Sequence, residues 1–232
     1  MAGDENPIVR VTKPTDSHAD GTNRLPGSDG EHHLQEKYGK TTHAIAFYQH
    51  QVIDHLNSAM RAFLQRQEMM FVATSDAKGE SDSSFRAGHA GFVKALDDRT
   101  VAYPEYRGNG VMASLGNISE NPHVGLLFID FGEQIGLHIN GGAKIVENNE
   151  FLEFLKDHPA EQEVLGDAVL KDIMESDGGH LERWVMVEVE EAYVQCSKHI
   201  PPMQRIDHNI KWGTEDPRAK GGDYFGTAHG QK

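Results

Sequence analysis

Tyr103-Pro104-Glu105-Tyr106-Arg107-Gly108-Asn109-Gly110 is the stretch on which the reading of this chain turns. Thr100 to Tyr103 has the composition of a short strand. It leads into glycines, and Val111 to Glu120 then reads as a short helix ended by Asn121-Pro122. A strand passing through glycines into a helix N-terminus suits a phosphate, because free backbone N–H groups point outward there and the helix dipole favours negative charge. Arg107 supplies a guanidinium able to grip an anion through two hydrogen bonds. Gly108 and Gly110 let the backbone approach closely, and Asn109 can cap the helix or meet the phosphate itself. The same residues also suit an ordinary loop with an N-cap.

Downstream, His123 to Asp130 alternates Val124, Leu126 and Phe128 with Gly125, Leu127 and Ile129, so this strand is apolar on both faces and expected to be central. Ile135 to Val146 follows, with Gly141 and Gly142 predicting a bulge or sharp bend. Phe151 to Ile173 is helical in composition and broken at His158-Pro159. Arg183 to Cys196 alternates Val185, Val187 and Val189 against Trp184, Met186 and Glu188, placing Trp184 and Met186 in a core or dimer interface. Upstream, Gly91 to Leu96 and Met69 to Ser75 read as strands, the second ending in the turn Asp76-Ala77-Lys78-Gly79. Thr42 to Gln67 carries Val52, Leu56, Met60, Phe63 and Leu64 at helical spacing and predicts one amphipathic helix. Short strands, tight turns and a few helices point to a barrel or curved sheet rather than a doubly wound one. Residues 1–40 read as a polar arm, disordered or wrapping a partner. Residues 41–205 form the domain, and 206–232 a polar tail.

The chain has 232 residues, enough for one domain with a sizeable core. Its 22 Lys and Arg against 36 Asp and Glu give a formal charge of −14, a poor footprint for nucleic acid. An anionic ligand would need a local basic pocket working against that field. Cys196 is the only cysteine, which suits a reducing cytoplasm, and it reads as a small packing residue. No stretch reads as a signal peptide or membrane span. Gly39-Lys40-Thr41 ends like a phosphate loop, but Leu34 stands where its first glycine belongs, and neither a dinucleotide fingerprint nor a nucleophile elbow occurs. His43, His50 and His55 lack the spacing of a zinc protease and His32-His33 sits in the arm, so no metal site is expected.

Taken in order, several segments resemble the pyridoxamine 5'-phosphate oxidase-like proteins. They are Phe92 to Thr100, Tyr103-Pro104, Arg107-Gly108-Asn109, Asn117-Ile118, Glu120 to Phe128, Ile139-Asn140-Gly141-Gly142-Ala143 and Cys196-Ser197-Lys198-His199-Ile200-Pro201. The resemblance covers about residues 65 to 205, judged by order and spacing together. It implies a mainly β fold with peripheral helices: a six-stranded split β-barrel of the FMN-binding type, homodimeric, with FMN in a cleft between subunits. Arg107 and Asn109 would meet the FMN phosphate, with Ser84 and Arg86 from the preceding strand region. The ring system would lie near Ala73, Thr74 and Ser84. Gln134 would come from the partner subunit, and Lys198 and His199 would approach the flavin edge from the last strand.

The implied activity is that of an FMN-dependent oxidoreductase passing a hydride to or from a small substrate. Lys198 or Arg86 would stabilise reduced flavin and His89 would donate a proton. Two departures weigh against vitamin B6 as that substrate. The basic pair of the phosphate loop is reduced to Arg107 followed by Gly108, and the C-terminal arginine-and-histidine motif is replaced by Lys211-Trp212-Gly213 and a polar tail. Alternatives on the same fold are a deazaflavin reductase, a haem protein with His199 as ligand, or an FMN-binding protein that stores or senses flavin without turnover.

Overall fold

The computed structural model describes residues 25–175, 181–206 and 225. Residues 1–24, the Lys211-Trp212-Gly213 segment and most of the tail lie outside that set. The chain divides into two compact units, residues 1–45 and 46–232. Within the first, α1 (Asp29–Lys37) lies in the stretch read as an arm. It opens with a capping box in which Ser28 accepts from the Glu31 N–H at 3.1 Å while Glu31 reaches back to the Ser28 N–H. It buries no residue.

The single helix expected over Thr42–Gln67 is two helices, α2 (Thr41–Gln51) and α3 (Ser58–Leu64). Between them the backbone extends, and Ile53 pairs with Ala192 through two hydrogen bonds, 3.1 and 2.7 Å long. Asn57 then caps α3 by accepting from the Met60 N–H at 2.9 Å. The apolar spacing across 52–64 is real, and Leu56, Phe63 and Leu64 are buried. Tertiary pairing of the β-branched segment overrides the local pattern.

Seven antiparallel strands among the described residues form one sheet: β1 (Met69–Ser75), β2 (Ser81–Ala87), β3 (Lys94–Ala95), β4 (Thr100–Tyr106), β5 (His123–Asp130), β6 (Ile135–Glu147) and β7 (Leu181–Gln195). Their order is β2-β1-β5-β6-β7-β4-β3. The expected count of six is corrected to seven by the two-residue β3, and no ladder closes the sheet between β2 and β3. Because β3 pairs only with Val101 and Ala102, the edge of β4 is unpaired at Pro104, which has no N–H to offer a ladder. Between β4 and β5 lies α4 (Ala113–Glu120). Between β6 and β7 lie α5 (Asn148–Asp157) and α6 (Pro159–Glu175), divided at the expected His158-Pro159.

Two cores follow from the alternation along β7. Val185, Val187 and Val189 join Met70, Val72, Leu126, Phe128 and Ile139 inside the curled sheet. Trp184 and Met186 face the other way, among Phe151, Leu155 and Val169 of α5 and α6, with the Trp184 and Phe151 rings stacked at 4.5 Å. Two bulges interrupt that alternation. Leu181 pairs with Tyr106 and Arg183 with Glu105, leaving Glu182 as the extra residue. Glu191 pairs with Asn140 and Val189 with Gly141, leaving Glu190 extra. Hence Leu181 and Trp184, three apart, share one core, and Val189 and Ala192 share the other. The second bulge requires glycine opposite it, since a Cβ on Gly141 would collide with the Glu188 carbonyl oxygen.

Candidate functional site

The sheet curls until its two sides meet. β2 is one edge and β4 lies one strand from the other, yet Arg86 Nε of β2 donates to Glu105 Oε1 of β4 at 2.8 Å. Glu105 faces inward, its side chain 9 % exposed, and burial pushes its carboxyl up while the Arg86 guanidinium pulls it back. The neighbouring Tyr106 hydroxyl is pushed up to about 12 by burial.

A set of polar side chains fastens α4 to the β1–β2 hairpin. Ser84 Oγ donates to Asp82 Oδ2 at 2.8 Å, and Ser114 Oγ donates to Ser84 Oγ at 3.1 Å. Asn117 Nδ2 donates to Thr74 Oγ1 at 3.0 Å and Asn121 Nδ2 to Ser75 Oγ at 2.9 Å. The N-terminus of α4 is left without a side-chain cap. Its N-cap is Met112, held at φ +55°, and Asn109 spends its Oδ1 on the Val111 N–H at 3.0 Å. Left-handed backbone at a non-glycine residue stores strain, commonly beside a ligand.

Seam and helix end enclose a cleft of about 730 Å³, within the usual range of small-molecule sites. Of the residues expected from sequence, Ser84, Arg86, Arg107 and Asn109 line it, with Gly108, Gly110 and the first turn of α4. Ala73 is exposed on β1 beside Ser83, and Thr74 is buried as the acceptor for Asn117. His89 lies in the loop after β2, exposed and outside the cleft lining.

The remaining expected residues gather elsewhere. Gln134, at φ +53° in the β5–β6 turn, donates to the Ile200 carbonyl at 2.8 Å and borders a hollow of about 310 Å³ with Phe47, Val194 and Cys196. Lys198 and His199 stand in a one-turn 3₁₀ helix, Ser197–His199, just past β7, both exposed. The chain therefore brings Ser84, Arg86, Arg107 and Asn109 together in the cleft and leaves Gln134, Lys198, His199 and His89 outside its lining. Cys196, read as packing, is exposed, because it lies just past the end of β7.

Sequence reasoning missed the acidic side of the cleft. Asp82, Glu105 and Glu182 line it against Arg86 and Arg107, so the pocket is not locally basic. Glu182 lies 3.7 Å from Arg107 Nε and 3.6 Å from an Arg183 nitrogen. Alternation on β7 gave no signal for it, because the bulge alone turns it from the helical core. On the exposed face of the β1–β2 hairpin, Phe71 and Phe85 meet edge to face at 5.7 Å while 36 % and 54 % exposed. Among the described residues no group of three or more His, Cys, Asp or Glu is placed to hold a metal, and no helix is long and apolar enough to cross a membrane.

Comparison with known proteins adds a family. No curated protein matches the chain. Among solved structures, HupZ of Group A Streptococcus is 21 % identical over 60 % of this chain and 93 % of its own, with a TM-score of 0.42. HutZ of Vibrio cholerae, described as a heme storage protein, is 19 % identical over 60 % of this chain and 94 % of its own, with a TM-score of 0.37. General Stress Protein 26 of Bacillus anthracis is 14 % identical over 57 % and 88 %, with a TM-score of 0.37. The sequence model of the pyridoxamine 5'-phosphate oxidase family matches residues 56–196, more than half of the chain and all seven strands of the sheet. On that match, the chain belongs to the pyridoxamine 5'-phosphate oxidase family.

Proposed function

We propose that the protein is an FMN-dependent oxidoreductase of the cytoplasm, a homodimer that holds FMN between subunits and acts on a small substrate. The observation that carries this is the uncapped N-terminus of α4, set beside Gly108, Gly110 and Arg107 in a cleft large enough for a flavin nucleotide. Arg107 and the N–H groups of that first turn would hold the phosphate, with Asn109 fixing the loop that presents them. Ser84 and Arg86 would border the ribityl chain, and the β1 backbone at Ala73 and Thr74 would border the ring. Bound FMN would supply hydride transfer at its N5. The separation of Gln134, Lys198 and His199 from the cleft supports a dimer in which a second copy brings them to the ring edge. The exposed Phe71 and Phe85 pair supports an apolar contact between copies. In that arrangement Lys198 would place a cation near the reduced ring, and His89 would be the proton donor to substrate.

The test is the visible spectrum of the purified protein, followed by denaturation and identification of what is released. Free FMN near one per subunit, and its loss in Arg107→Ala by at least about tenfold in affinity, is the expected result. A Soret band would favour a haem protein and a deazaflavin spectrum a deazaflavin reductase. Tight FMN without reoxidation by any acceptor would favour storage. A colourless protein that fails to take up added FMN would overturn the reading.

A further inference from the structure

The cleft contains a carboxylate placed against the guanidinium that a phosphate would need. Glu182 is the extra residue of the β4–β7 bulge: its neighbours Leu181 and Arg183 pair with Tyr106 and Glu105, and it has no partner in that ladder. Without the bulge, strict alternation would put Leu181 and Trp184 on opposite faces. With it both enter the helical core, and Glu182 lines the cleft. Bulges characteristically re-aim a side chain in this way beside functional sites. Once there, the Glu182 carboxylate lies between two guanidiniums, 3.7 Å from Arg107 and 3.6 Å from Arg183. Both separations exceed hydrogen-bonding distance, so these two contacts are ionic rather than hydrogen-bonded.

We infer that Glu182 is a specificity-determining residue that competes with the phosphate of a bound flavin nucleotide for Arg107. This rests on the proposed phosphate site. The cleft lining carries three carboxylates and two guanidiniums, Asp82, Glu105 and Glu182 against Arg86 and Arg107. Arg86 is committed to Glu105 by a 2.8 Å hydrogen bond across the seam. Arg107 is the other guanidinium of the lining and the one the proposed phosphate site uses, and Glu182, 3.7 Å from it, is a carboxylate with which a phosphate there must compete. The consequence is a site that binds the phosphorylated flavin more weakly than its donors allow, and whose preference for FMN over riboflavin is set at residue 182. A ligand without the phosphate does not meet this competition.

The experiment is titration of the full-length apoprotein with FMN and with riboflavin, followed by flavin fluorescence, at low and at 0.5 M salt. Wild type is compared with Glu182→Gln and Glu182→Lys, each alone and combined with Arg107→Ala. Removing one negative charge about 4 Å from the contested cation is expected to tighten FMN about fivefold at low salt, and less at high salt, where the Debye length is only about 4–5 Å. Riboflavin should be unchanged. Glu182→Lys should tighten FMN further, and in the Arg107→Ala background the gain from Glu182→Gln should largely vanish. An unchanged FMN-to-riboflavin ratio overturns the inference alone, as does a gain that survives undiminished without Arg107. Failure of every variant to bind either flavin overturns the phosphate site, and the inference with it.

Discussion

Removing the Arg86 side chain leaves the Glu105 carboxylate buried with its partner gone, and the consequences follow from the geometry. The pair meets at 2.8 Å with side chains 21 % and 9 % exposed. Charges about 4 Å apart attract by about 4 kcal/mol at an effective dielectric of 20, and removing each from water costs several kcal/mol. Burial raises the Glu105 carboxyl despite Arg86, so desolvation already outweighs attraction for this group. The net contribution of the pair is therefore small, while the cost of breaking it on one side is large. Arg86→Met is expected to lose about 3 kcal/mol at pH 7.5, the lower end for a buried pair because Arg86 keeps some solvent.

The loss should depend on pH with a definite sign. A carboxyl raised in the folded state holds its proton there after the unfolded chain has released it. Its stability contribution is thus present below the unfolded value, about 4.3, and is lost as pH rises through the folded one. Without Arg86 the folded value climbs further, each unit adding about 1.4 kcal/mol to the loss at neutral pH. Urea unfolding followed by tryptophan fluorescence, at pH 5 and pH 7.5, measures this. Arg86→Met should recover most of its loss at pH 5. The double variant Arg86→Met/Glu105→Gln should be more stable than Arg86→Met at pH 7.5 and lack the pH dependence. Equal losses at both pH values, or a double variant as unstable as the two single losses added, would refute the reasoning.

Tyr103 is fully buried on β4 and its hydroxyl has no hydrogen-bond partner among the described residues. Burial raises its pKa far above the ordinary phenol, and Tyr103→Phe should gain about 1 kcal/mol in urea unfolding; a loss would reveal a partner for the hydroxyl. Gly141→Ala forces a Cβ into the Glu188 carbonyl at the β6–β7 bulge. It should cost about 3 kcal/mol in thermal unfolding, and wild-type stability would show that the bulge can move without penalty.

How far the sequence carried the fold depends on how each segment is buried. β1 and β5 match their expected spans because their apolar residues are set by one pleat, and His123–Asp130 does lie between two strands. β4 runs on through Pro104, which strand statistics discourage, because the unpaired edge beyond β3 makes a missing N–H harmless. β2, Ser81–Ala87, shows no apolar alternation, since one face meets Ser114 and Glu105 through polar contacts. Only the family resemblance placed Ser84 and Arg86 on a strand. α1 is polar all round, so periodicity missed it, although Ser28 and Glu31 carried a legible capping signal.

The candidate site was legible on its backbone side and illegible in its charge. Gly108, Asn109, Gly110 and the start of α4 are contiguous, so their roles follow from local geometry that a sequence displays directly. The carboxylates are not local. Glu105 reaches Arg86 only because the sheet curls, and Glu182 reaches Arg107 only because one extra residue in β7 reverses its facing. A count of basic residues near the loop therefore overstates what a phosphate would meet. Both arginines lining the cleft have acidic neighbours drawn from other strands, so the electrostatic character of the site is a property of register. The same bulge that lets Trp184 fill the helical core puts a negative charge in the cleft. Core packing and ligand preference are in this way coupled through one residue, and substitutions on β7 that shift its register should alter both together.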